Sequence, residues 1–97
     1  MPTHYTAKEM LEKLVAFPSV SSESNLPIID FIEGYLADHG VKSTRVYDET
    51  GFKSNLYAQV GPNVEGGVVL SGHTDVVPVT GQAWDTDPFV LTEIDGK

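Results

Sequence analysis

Cysteine is absent from the 97 residues. That excludes a disulfide framework and a thiolate zinc site, so any metal must be held by histidine and carboxylates. No apolar run approaches the roughly 18–20 residues of a membrane span, and the N-terminus lacks a basic stretch followed by an apolar one. These absences point to a cytosolic chain. Basic residues are also scarce, with six Lys and Arg against 14 Asp and Glu for a net charge of −8. Neither Lys nor Arg occurs between Lys53 and Lys97, a gap that holds Glu65, Asp75, Asp85, Asp87, Glu93 and Asp95. With no basic stripe to meet phosphates, nucleic acid is excluded as a partner. Carboxylates gathered without local cations repel unless solvated, neutralised by a metal or answered by further chain. Solvation is the reading for Glu65, Glu93 and Asp95.

What is present suits one small folded domain. Hydrophobic residues make up 40% and charged residues 21% of the chain, ordinary values for a globular sequence. A domain of this length buries somewhat over about 60% of its unfolded surface. Thr6-Ala7-Lys8-Glu9 is a capping box. Met10, Leu11, Leu14, Val15 and Phe17 follow at helical spacing, with Pro18 ending the run. The apolar face of this helix is expected in the core, and His4 just before it has no assigned part. Residues 18–25, PSVSSESN, are too polar and Ser-rich for a regular element and read as a loop. A serine nucleophile there would lack the Gly-x-Ser-x-Gly context.

Asn25 is placed to cap a second helix with Pro27 in its first turn. Ile28, Ile29, Ile32, Tyr35 and Leu36 form its apolar stripe, while Asp30, Glu33 and Asp38 face water. Gly40 suits the left-handed residue after the helix end. His39, in the last turn, reads as a surface histidine favoured by the helix dipole. Val41 to Tyr47 reads as an edge strand, 48–54 as a turn around Gly51, and Asn55 to Val60 as an alternating strand. After a loop at 61–67, Val68 begins a third strand, and a fourth runs from Phe89 to Ile94. The order is α/β: two helices followed by three to four strands.

The most informative stretch is VVLSGHTDVVPVTGQAWDTDPF, residues 68–89. Val68-Val69-Leu70 is the kind of run that fills a strand buried on both faces, and Pro78 closes the segment by removing a backbone donor. Side chains at i and i+2 of an extended chain point the same way, so His73 and Asp75 leave the strand toward one side. A neutral imidazole is a common zinc ligand, and a neighbouring carboxylate is the usual partner that fixes its tautomer. Gly72 leaves room for a close approach to the backbone. By spacing alone, however, a surface histidine beside an aspartate is the commoner occurrence of His-x-Asp. Asp85 and Asp87 read as a solvated loop, and Trp84 and Phe89 as packing residues.

SGHTDVVPVTGQAW followed by DPF resembles the signature of the zinc-dependent aminoacylase and deacylase family of metallopeptidase-like hydrolases. The segment Val77-Pro78-Val79, Gly81-Gln82 and Trp84 is most similar to the branch that deacetylates N-acetylornithine in arginine biosynthesis. The likeness is specific from Leu70 to Phe89 and weaker but continuous over the rest, including the opening helix and residues 18–25. It implies that His73 is a ligand of the first metal. It also implies that Asp75 is the catalytic-site aspartate that orients the imidazole.

The implied chemistry is amide hydrolysis at a pair of zinc ions, with cobalt or manganese also suited to a His/carboxylate site. The ions activate a shared water against an acyl carbonyl. The implied fold is a catalytic α/β domain with a mixed sheet, of which residues 1–97 are the N-terminal portion. The implied assembly is a homodimer made through a second, smaller domain. The remaining ligands, including a bridging aspartate and a glutamate pair with the general base, are expected beyond Lys97. One histidine cannot replace the three or so protein ligands of a catalytic zinc, so the 97-residue chain alone is expected to be inactive. Two other readings stay open: a desuccinylase of succinyl-diaminopimelate, or another N-acyl amino acid amidohydrolase, and a small non-catalytic binding module. All the enzymatic readings take a small N-acyl amino acid as substrate and involve no membrane.

Overall fold

Thr6 starts the first helix, α1 (Ala7–Val15), because its side chain and that of Glu9 satisfy each other's backbone donors. In the computed structural model, which describes residues 4–97, the Thr6 hydroxyl accepts from the Glu9 N–H (3.1 Å). Glu9 Oε1 in turn accepts from the Thr6 N–H (2.9 Å), so the expected capping box forms. The helix ends at Ala16, ahead of Pro18. Its apolar face is less covered than expected: no residue of α1 is buried, and Leu11 is half exposed. Tyr5 stacks on Tyr35 with ring centroids 5.6 Å apart, and Phe17 lies 5.5 Å from Phe31. These rings and a Lys8–Glu93 ion pair tie α1 to the remainder.

The second helix, α2 (Leu26–Asp38), carries the core on its inner face, where Ile28 and Ile29 are the buried apolar side chains. Gly40 follows its C-cap at φ 75°, the left-handed conformation expected there. Asn25 occupies the N-cap position but turns its side chain outward from the helix. Its amide donates to the Ser54 carbonyl (2.7 Å) and accepts from the Ser54 N–H (2.9 Å).

β1 (Ser43–Tyr47) and β2 (Ser54–Ala58) form an antiparallel hairpin, paired from Ser43 opposite Ala58 to Tyr47 opposite Ser54. Gly51 takes φ 72° in the connecting turn. Asp48 Oδ1 accepts there from the Thr50 hydroxyl at 2.8 Å. The hairpin lies against α2, and Arg45 reaches across to Asp30 (2.5 Å) and bidentately to Glu33 (2.9 and 3.0 Å). Asp30 and Glu33 are therefore the partners of a cation on the neighbouring strand. Bonding to Glu33 first, then Asp30, raises the Arg45 pKa above its ordinary value.

The α/β class is as expected; among the described residues two strands form, fewer than the three to four expected, and they pair antiparallel. Val68–Leu70 is not a strand: its residues are 86, 87 and 92% exposed, and among the described residues no ladder partner lies beside it. A run fit for burial on two faces needs a layer on each, and among the described residues neither layer is present. Phe89–Ile94 is also irregular. Asp87 captures the backbone donors of Phe89 and Val90 at 2.9 and 3.2 Å, and Ile94 and Lys97 close a local turn. Such local bonds compete with a ladder.

Two carboxyls make part of the stability acid-sensitive. The Thr6 backbone N–H, and then its hydroxyl, hold Glu9 below its ordinary value, while the Thr50 hydroxyl does the same for Asp48. Each binds fewer protons folded than unfolded. The contribution is therefore complete above the unfolded values of about 4 to 4.5 and is lost as pH falls through the lower folded values. Thermal melts should show the gap between wild type and a Glu9→Gln/Asp48→Asn double variant closing as pH drops below about 4. An undiminished gap at low pH would place the effect elsewhere.

Candidate functional site

His73 and Asp75 meet as their spacing predicts. His73 Nδ1 lies 2.9 Å from Asp75 Oδ1 and 3.1 Å from the Asp75 carbonyl oxygen. Both partners can only accept, so the proton sits on Nδ1 and the lone pair on Nε2. The histidine side chain is 83% exposed, leaving Nε2 open to a ligand. This is the arrangement of a metal-binding imidazole oriented by a carboxylate, and the pair fits one ligand position of a zinc site. It does not make a whole site. Among the described residues no three His, Asp or Glu side chains come together to hold a metal. Gly72 faces open space, with nothing within 4 Å of where a Cβ would stand.

A chain of contacts holds this pair to the fold, and it runs through residues 18–25. The hairpin grips that loop at three points: the Lys53 ammonium donates to the Ser21 carbonyl, the Ser24 hydroxyl donates to the Phe52 carbonyl, and Asn25 pairs with Ser54. The loop in turn grips the segment carrying the site. Val76 N–H donates to the Ser19 carbonyl (2.9 Å), and Ser21 N–H donates to the Val76 carbonyl (2.8 Å). These form a parallel bridge between Val20 and Val76. The Ser19 hydroxyl, in a residue only 7% exposed, donates to the Thr74 carbonyl (2.6 Å). The Ser-rich loop is thus a structural strap. Sequence reasoning did not find this part for Ser19, because its partner lies 55 residues away.

Other candidates stand apart from the pair. Asp87 accepts from the Phe89 N–H, and Trp84 Nε1 donates to Gln82 Oε1 (3.1 Å) with its ring half exposed. His4 and His39 meet ring against ring at 4.4 Å, next to Tyr35. Between α2, the hairpin and residues 69–75 lies an open groove of about 850 Å³, bordered by Ile29, Leu56, Leu70, His73 and Asp75.

Comparison with known proteins gives one consistent result. Acetylornithine deacetylase from Yersinia pseudotuberculosis is 38% identical over 100 aligned positions, covering 92% of this chain and 26% of the relative. Its counterparts from Klebsiella pneumoniae and Pectobacterium carotovorum are 38 and 36% identical, again over 92% of this chain and 25% of theirs. The chain spans about a quarter of the length of these curated relatives. No family model and no solved structure matches. Over 92% of its residues, the chain is similar to these acetylornithine deacetylases.

Proposed function

We propose that His73 is a zinc ligand and Asp75 its orienting carboxylate in a hydrolase that removes the acetyl group from N-acetylornithine. The observation that carries this reading is the 2.9 Å bond from His73 Nδ1 to Asp75 Oδ1. It lies in a chain whose relatives bear the name of that activity. Asp75 keeps the proton on Nδ1 and so presents Nε2. Zinc, when bound, would supply Lewis-acid polarisation of the acyl carbonyl and activation of water. His73 contributes one of the roughly three protein ligands that such a site requires. Asp75 is engaged with the imidazole and is not the general base. Among the described residues, no further His, Asp or Glu side chains join the pair to complete such a site.

The test is a zinc-loaded assay of the full-length protein on N-acetylornithine and N-succinyl-diaminopimelate side by side. Faster release of acetate and ornithine is the expected result. Faster release of succinate would move the reading to the desuccinylase branch. No hydrolysis of either substrate with zinc, cobalt or manganese would overturn it.

A further inference from the structure

We propose that Ser19 is a positioning residue for the His73–Asp75 pair, acting through the Thr74 peptide. The inference rests on the functional reading above, but its geometry is independent of any metal. Thr74 lies between the two site residues, and its carbonyl belongs to the peptide that leads into Asp75. The Ser19 hydroxyl donates to that carbonyl at 2.6 Å, which fixes the rotation of the 74–75 peptide plane. The Val20–Val76 bridge fixes the next peptide along. Among the described residues, no other backbone hydrogen bond ties residues 65–77 to the helices or the hairpin.

The orientation of the pair therefore depends on a short strap in which, among the described residues, Ser19 is the only side-chain donor to the segment that carries the pair. A hydroxyl buried to this degree has little water to fall back on, so its bond is directional and persistent. Without it, the 74–75 peptide is free to rotate about its neighbours. The i, i+2 alignment that brings Asp75 Oδ1 onto His73 Nδ1 is then no longer enforced. Loss of such an outer partner of a metal ligand typically weakens metal binding by about 10- to 100-fold.

The experiment uses the full-length protein with Ser19→Ala, Ser19→Cys and Ser19→Thr variants, and has two readouts. Long-range nitrogen–proton NMR of the metal-free protein reports the His73 tautomer, assigned with His73→Ala. Competition with a chromophoric chelator reports zinc affinity. Wild type and Ser19→Thr, which keeps the hydroxyl, are expected to hold the proton on Nδ1. Ser19→Ala and Ser19→Cys are expected to lose that preference and to bind zinc about tenfold more weakly. Ser19→Cys keeps a small polar side chain with only a weak donor, so it gives the answer if Ser19→Ala does not fold. An unchanged His73 tautomer in the folded Ala or Cys variant overturns the proposal. A tautomer that depends on Ser19 in a protein that binds no zinc upholds the positioning and overturns the metal reading instead.

Discussion

On the proposed function, replacing His73 by alanine is expected to remove a zinc ligand and to cut hydrolysis of N-acetylornithine by the full-length protein by about a thousandfold or more. The size follows from what a Lewis acid supplies. Transition-state stabilisation of several kcal/mol, taken as about 4, corresponds to about three factors of ten in rate. The structure offers no substitute within reach, because no cluster of three or more metal-binding side chains exists among the described residues. Asp75→Asn should fall between wild type and His73→Ala. Its amide oxygen can still accept from Nδ1–H, but a neutral acceptor holds the ring less firmly than a carboxylate. A loss of about 10- to 100-fold in zinc affinity is the expected outcome. Zinc stoichiometry, a binding isotherm and acetate release measure all three proteins. A His73→Ala protein with full zinc content and an undiminished rate would remove His73 from the metal centre.

The site pair was legible because its information is local. His73 and Asp75 are two residues apart, and their meeting needs no element from elsewhere in the chain. The same holds for the α1 capping box, where Thr6 and Glu9 are three residues apart, and for the hairpin, whose strands flank a short turn. Ser19 was not legible, since nothing in Pro-Ser-Val-Ser-Ser says that one hydroxyl will meet Thr74. The third and fourth strands failed for two different physical reasons. Phe89–Ile94 has strand-like composition, but Asp87 immediately before it offers its backbone a local alternative. Val68–Leu70 has the composition of a run suited to burial, yet it is exposed. Burial, however, belongs to what packs against a segment, and composition cannot supply the missing layers. Asp30 and Glu33 face water as their polarity suggests, but they also pair with Arg45 from the adjacent strand, which the helix's own sequence does not show.

Ile28→Ala is expected to destabilise the 97-residue chain by about 2–5 kcal/mol, the range for deleting a buried isoleucine side chain. Few sites here could cost as much. Ile28 and Ile29, 2 and 4% exposed, are the buried apolar residues of the described chain. The accessible surface is 7763 Å², against about 5,400 Å² for a compact chain of this mass. The radius of gyration, 15.6 Å, likewise exceeds the about 12.5 Å expected for a compact chain of this length. With total stability for such a length starting near about 5 kcal/mol, loss of one core isoleucine removes a large share of it. The melting temperature should fall by about 10 °C or more. Leu70→Ala is the contrasting case. Leu70 is larger than most residues here, yet at 92% exposure it touches little, so its truncation should stay within about 0.5 kcal/mol. Urea or thermal melts of the two variants decide the matter. Equal costs would mean that Leu70 is buried in solution and that residues 68–70 are packed against a layer. A large cost for Ile28→Ala with none for Leu70→Ala would confine the stabilising core to the face between α2 and the hairpin. The site segment would then be held chiefly by its strap at Ser19, Val20 and Ser21.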